Sequence, residues 1–234
     1  MINKLILKNI DFYCKKKEIK IICIDGITCS GKSYFSNLLL IYLNKNHKNV
    51  QLISKDLFLL SRNKRIKLLP KIKKKINFNQ DNLHYDQKKI KEIFVAINNK
   101  KKIEMKGLYD RSSGKNQKKK TFNFKKSNII IFEGLYSLHK FESILRKSYK
   151  ILINESVYSS LIRKIKRIRD KKISIQDVIS EFTNLHLPSY LKYIQQFEFD
   201  TCLVGIDNTF NKSSFNKNMQ ITLIKKFQKK HLFN

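Results

Sequence analysis
Glycine is scarce in this chain, six residues in 234, and alanine is nearly absent, Ala96 being the single example. Scarcity gives each glycine weight, because a loop that needs several at fixed spacing is seldom met by chance in such a background. The four cysteines, Cys14, Cys23, Cys29 and Cys202, lack metal-ligand spacing. That excludes a zinc cluster built on them and leaves reduced, largely buried thiols as the expectation. No apolar run approaches the length of a membrane span. The opening MINKLILKNIDFYCKKK is too short and interrupted in its apolar stretch for a secretory signal, and the expected compartment is the cytoplasm. Acidic residues are few as well: 18 face 50 basic ones, for a net charge of +32. An excess of that size suits a partner such as nucleic acid or an anionic membrane. A blander cause competes, because Lys, Asn and Ile dominate beside one alanine, as an AT-biased genome would impose on neutral surface positions.

What is present is more specific. Gly26, Ile27, Thr28, Cys29, Ser30, Gly31, Lys32 and Ser33 fit G-x-x-x-x-G-K-[ST]. In that turn backbone N–H groups cradle phosphates, the lysine reaches the outer phosphate oxygens and the hydroxyl ligates Mg2+. A β-rich run at residues 20–25 leads in, and Phe35, Leu38, Leu39 and Tyr42 follow on one helical face. Strand, loop and helix in that order aim the helix dipole at the anion.

Apolar runs at residues 21–24, 50–53, 129–132, 151–153 and 201–204 read as buried parallel strands. Apolar residues at three- and four-residue spacing predict helices at 88–97, 157–168, 175–185 and 219–232. The alternation predicts an α/β fold, a single P-loop NTPase domain over residues 1–234 with a parallel sheet, helices on both faces and a small lid. Ligands of such sheets bind beyond the carboxyl ends of the strands, so the residues just past each strand are the candidates for chemistry.

After the second strand comes SKDLF, with Asp56 placed to take a proton from an attacking hydroxyl; a helix N-cap is the alternative use of an aspartate there. After the third long strand comes IIIFEG, with Glu133 at the tip. A carboxylate ending an apolar strand is costly without a partner, and Mg2+ beside Ser33 would supply one. The helix VYSSLIRKIKRIRD sets Arg163 and Arg167 four residues apart with Arg169 nearby; paired guanidinium groups clamp a phosphoryl group as its charge develops. In a chain this basic, a solvated arginine face explains the same residues. GLYDRSSG puts Tyr109 and Asp110 in a glycine-flanked loop that could stack on a base and bond a hydroxyl, or simply turn. In KNQKKKTFNFKK, residues 115–126, lysines interleave with Phe122 and Phe124 as in single-strand binders.

Together these pieces resemble the uridine-cytidine kinase branch of the phosphoribulokinase and uridine kinase family of P-loop kinases. GITCSGKS resembles its phosphate loop, LISKDLF its segment with the acceptor-activating aspartate, INFNQDNLHYD its substrate segment, YDRSS its Tyr-Asp loop, IIIFEG its Glu-Gly strand end, and LIRKIKRIRD followed by VISEF and LPSY its lid helix and the element after it. The resemblance implies transfer of the γ-phosphoryl of ATP, or GTP, to the 5′-hydroxyl of a nucleoside, uridine or cytidine, with Mg2+. It implies Lys32, Asp56, Arg163 and Arg167 as catalytic residues, residues 26–33 as the ATP loop, and Ser33 with Glu133 at the metal. Asn79, Asp81, Asp86, Tyr109 and Arg169 are implied at the acceptor, within a substrate-binding insertion at about 77–126 and a lid helix at about 155–174. Oligomers are common in the family.

The acceptor side departs from the pattern. Asn79 stands where an aspartate would grip a ribose, Gly114 about where a histidine would read a pyrimidine edge, and Glu181 where a glutamine is usual. A sister kinase acting on nicotinamide riboside, pantothenate or a sugar phosphate is the alternative. From another class, a basic P-loop protein that binds RNA and uses nucleotide as a ligand shares the loop but has no need of Asp56.

Overall fold
The apolar runs pair into a sheet whose central strands, at residues 21–26 and 130–133, are buried on both faces. The computed structural model describes residues 4–16, 20–47, 49–73, 82–127, 129–138, 148–168, 174–206 and 209–212. Strands β1 (Ile21–Gly26), β2 (Gln51–Ser54), β5 (Ile130–Glu133), β6 (Tyr149–Ile153), β7 (Thr201–Ile206) and β8 (Thr209–Lys212) form one sheet in the order β2-β5-β1-β6-β7-β8. All neighbours run parallel except β7 and β8. β1 is central, with Ile22 opposite Ile131 of β5 and Tyr149 of β6. Its two neighbours lie on opposite sides of the point where strand order reverses, and the crevice there opens at the strands' carboxyl ends.

Alternate side chains of the central strands feed two cores. On one face Ile22, Ile24, Ile131, Ile151 and Ile153 pack with α1 (Lys4–Lys16) and α2 (Lys32–Asn46) through Ile6, Ile10, Phe35, Leu39 and Leu43. On the other, Ile21, Cys23, Ile130, Phe132 and Leu152 meet α4 (Gln87–Asn98), α5 (Val157–Ile168) and α7 (Leu187–Ile194) through Ile90, Phe94, Leu161 and Tyr193. Each such aliphatic side chain taken fully from water contributes about 1.5–3 kcal/mol. The stripe that α2 buries is Phe35, Leu39 and Leu43; Leu38 and Tyr42 of the expected face are half-buried at its margin.

Several features differ from the pattern read in the sequence, among them α1, the helix at residues 62–73 and the antiparallel strand β8, which no predicted element covers. Residues 102–123 hold an antiparallel hairpin, β3 (Lys102–Tyr109) with β4 (Asn116–Asn123). The lysines of the KNQKKKTFNFKK run lie exposed along and beside β4, while Phe122 and Phe124 turn inward at 2% exposure each, so neither ring is exposed for a base to stack on, and Lys120 Nζ lies 5.0 Å from the Phe122 ring centroid. The helix expected at 175–185 is α6 (Ile175–Glu181), which widens into a π-helical turn (Phe182–His186) before α7. Pro188 in the first turn of α7 accounts for that widening, since its ring clashes with the carbonyl four residues back and lacks an N–H for the ladder. Helix α3 (Arg62–Lys73) follows the short 3₁₀ turn Lys55–Phe58. The helix expected at 219–232 lies outside the described residues. Among the described residues no helix is long and apolar enough to cross a membrane, and all four cysteines are free thiols.

Candidate active site
Residues 28–33 of the predicted phosphate loop and the segments after β2, β5 and β6 converge on one cavity of about 530 Å3 at the carboxyl ends of the strands, a volume suited to a small ligand, while Gly26 and Ile27 lie behind its wall. The loop is built for close approach. A Cβ on Gly26 would stand 2.8 Å from the Ile153 carbonyl, and Gly31 takes φ 95° as the residue preceding α2. No side chain caps that helix end, so its first N–H groups are left to an anion. The hydroxyl of Ser30, buried and lining the cavity, has no hydrogen-bond partner among the described residues. These features fit a phosphate group.

Lys32 is nearly buried, and its Nζ donates to the carbonyls of Gly26 (2.7 Å) and Ile27 (2.8 Å). Burial pushes its pKa down, opposed by the carboxylates of Glu133, Asp25 and Asp56. Glu133 is 4% exposed at the tip of β5 and accepts from Ser33 Oγ at 3.4 Å. Burial raises its pKa, with the Ser54 hydrogen bond and Lys32 opposing, so this carboxylate is not an exposed strand end. Among the described residues no three carboxylate, histidine or cysteine groups cluster as a metal cage. Mg2+ commonly binds through one or two protein groups plus phosphate and water, and the Ser33–Glu133 pair fits that mode.

Asp56 sits in the 3₁₀ turn. Ser54, not Asp56, caps it, its Oγ accepting from Asp56 N at 3.3 Å. The Asp56 carboxylate instead accepts from Arg111 Nη2 at 3.0 Å across the cavity mouth. From the other wall come Arg163 and Arg167 of α5. Arg163 pairs at 2.9 Å with Glu155, whose side chain is 3% exposed, and also reaches the Cys29 carbonyl. Lys32, Ser33, Asp56, Arg111, Glu133, Glu155, Arg163 and Arg167 all border the same cavity.

The acceptor candidates scatter. Asp86 caps α4, accepting from Lys89 N, and does not line the cavity. Tyr109 is 7% exposed and also stays off the cavity wall; its hydroxyl accepts from Arg65 Nη2 at 2.8 Å and its ring lies 5.0 Å from that guanidinium. Asn79, Asp81 and Arg169 lie outside the described residues. Gly114 has φ +71°, and a Cβ there would stand 3.1 Å from the Arg62 guanidinium carbon, so a side chain at this position would be strained. Glu181 does not line the cavity but holds His186, which does, by a 2.6 Å hydrogen bond. That bond, helped by Lys164, takes its carboxyl down to about 2.

Several residues on the cavity wall were not legible as candidates: Arg65, His84, Tyr85, Arg111, Glu155 and His186. Arg65 is fixed by the Leu60 carbonyl and the Tyr109 hydroxyl. Arg111 is carried by a loop organised on Asp110, which accepts from Ser112, Ser113 and Gln117 and is thereby held at about 2. Buried Lys55 donates to the Leu135 and Tyr136 carbonyls and lies 4.4 Å from the Tyr85 ring centroid, joining the turn after β5 to the acceptor wall.

A sequence profile described as the phosphoribulokinase / uridine kinase family matches residues 21–205. A uridine kinase of Ureaplasma parvum serovar 3 is 25% identical over 178 residues, covering 75% of this chain and 82% of that protein. Among solved structures, a D-glycerate 3-kinase from Cryptococcus neoformans superposes with a TM-score of 0.60 at 12% identity, covering 90% of this chain and 99% of the other. Phosphoribulokinase from Rhodobacter spheroides gives 0.55 at 15%, covering 82% and 73%.

Proposed function
The chain belongs to the phosphoribulokinase / uridine kinase family, a family of small-molecule phosphotransferases with the P-loop kinase fold, and from that premise we propose that it transfers the γ-phosphoryl of ATP to the 5′-hydroxyl of a nucleoside, uridine or cytidine. The observation that carries the reading is the single cavity in which the phosphate loop, Asp56 and the two lid arginines meet. The match to a uridine kinase over most of both chains supports the acceptor.

In this reading the α2 N-terminus and loop amides hold the phosphates, and Lys32 leaves the Gly26 and Ile27 carbonyls for the outer phosphate oxygens. Asp56 takes the proton of the acceptor hydroxyl, which requires release of Arg111. Arg163 and Arg167 stabilise charge on the transferred group from the opposite wall. Mg2+, held through Ser33 and Glu133, neutralises phosphate charge when bound. Residues 1–234 act as one domain, with residues 77–126 contributing to the acceptor side and residues 155–174 to the lid. GTP as the alternative donor, a cytoplasmic location and assembly into a homo-oligomer complete the proposal.

A second reading is favoured by Arg65 and Arg111. Both line the cavity on the Asp56 side, and Arg65 has no carboxylate partner among the described residues. Two guanidinium groups there suit an acceptor that carries its own phosphate or carboxylate. A coupled ADP-release assay with Mg-ATP tests both, using uridine, cytidine, nicotinamide riboside, pantothenate, glycerate and ribulose 5-phosphate. Turnover of a pyrimidine nucleoside supports the first reading. Turnover of anionic acceptors alone replaces it with the second, and turnover of none refutes both.

A further inference from the structure
Asp25 is the penultimate residue of β1 and belongs to none of the roles above, yet it is a carboxylate at 1% exposure inside an otherwise apolar strand. A buried charge of this kind persists only when fully hydrogen-bonded. Its Oδ1 accepts from Gly26 N at 2.7 Å; its Oδ2 accepts from Ser137 N at 2.7 Å, Ser137 Oγ at 3.0 Å and the Tyr193 hydroxyl at 2.7 Å. The Tyr193 oxygen accepts in turn from Leu138 N at 2.9 Å. Tyr193 is fully buried, and burial together with Asp25 holds its pKa well above the ordinary value, so its proton stays on the donating side.

These four bonds tie together three walls of the cavity. Gly26 begins the phosphate loop, and the same residue's carbonyl accepts the Lys32 ammonium. Ser137 ends the turn after β5, whose residues Gly134, Leu135 and Tyr136 line the cavity. Tyr193 stands on α7, which continues from the π-helical turn carrying His186 to the cavity wall. We infer that Asp25 is a positioning residue for nucleotide binding, and that the Tyr193 hydroxyl couples the segment of residues 174–194 to the phosphate loop through it. The physics is a competition for one cation. The donors from Ser137 and Tyr193 share the carboxylate charge of Asp25, so that Lys32 rests on the Gly26 and Ile27 carbonyls, which it can leave for phosphate, instead of on Asp25. With a donor removed, the carboxylate draws the ammonium more strongly and the peptide of Gly26 turns with it.

The inference rests on the nucleotide-site reading, so the test separates the two. Mg-ATP affinity is measured by titration calorimetry for the full chain and for Tyr193→Phe and Ser137→Ala, with thermal melting and acceptor KM alongside. Loss of one hydrogen bond to a charged group should weaken Mg-ATP binding about tenfold in each variant, with acceptor KM unchanged and a cooperative melt retained. Lowered melting temperatures with unchanged Mg-ATP affinity would overturn the inference and make the network structural only. Absence of Mg-ATP binding by the unaltered chain would overturn the nucleotide site itself and this inference with it.

Discussion
Arg111→Ala separates the two acceptor readings by magnitude. Arg111 lies 3.0 Å from Asp56, with side chains 69% and 43% exposed. An exposed pair of this kind contributes about 0–1 kcal/mol, so a neutral acceptor opens it at a cost of at most about fivefold in kcat/KM. For uridine or cytidine the substitution therefore leaves kcat/KM within about fivefold of the unaltered enzyme. An acceptor whose phosphate or carboxylate meets the freed guanidinium loses about 1.5–3 kcal/mol instead, a rise in KM of roughly 10- to 150-fold. Initial rates at saturating Mg-ATP, with acceptor varied, read the difference. A loss of about a hundredfold in kcat with a neutral acceptor would refute the reasoning, because Arg111 would then be holding Asp56 for chemistry instead of yielding it.

Asp56→Asn should lower kcat by about a hundredfold or more while Mg-ATP affinity stays within about twofold; a large loss of affinity would reassign Asp56 to the nucleotide site. Glu133→Gln removes a carboxylate that burial disfavours in its charged form, so the ligand-free protein should melt about 2–4 °C higher per kcal/mol regained while its Mg2+ requirement rises; a lower melting temperature would contradict this. Glu181 titrates at about 2 in the fold against an ordinary 4.5, so its contribution is complete above the ordinary value and is lost as pH falls toward 2. Melting curves of Glu181→Gln should accordingly lack part of the acid limb, and curves parallel to those of the unaltered chain would exclude the linkage. Gly114→His should destabilise by about 1–2 kcal/mol through its left-handed backbone, without conferring pyrimidine preference; a gain in such preference at unchanged stability would refute the packing argument.

The central parallel strands were legible because burial on both faces writes them as near-continuous apolar runs, as in residues 129–132, while edge strand β2, which buries only Ile53, was legible from its apolar Val50, Leu52 and Ile53. The hairpin was not, because β4 shows lysine at three successive positions and only Phe122 reaches the core within it; its register is set by pairing with β3, which no local pattern reports. The phosphate loop was legible from its glycines and lysine. Arg65 and Arg111 were not, since in a chain with 50 basic residues a guanidinium fixed by a tyrosine hydroxyl looks like any other surface charge. Asp25 left a signal that could have been used: a lone carboxylate in an apolar strand demands several donors. Tyr109 shows the limit of motif reading, as its ring packs under Arg65 and presents that arginine to the cavity.

Phosphorus NMR of the full chain incubated with Mg-ATP and an acceptor tests the central claim most directly, because it follows the γ-phosphoryl itself. The account predicts ADP and a phosphate monoester on the acceptor in equal amounts, with both signals abolished in Lys32→Ala. ATP consumed only to inorganic phosphate, or transfer that persists without Lys32, would contradict it.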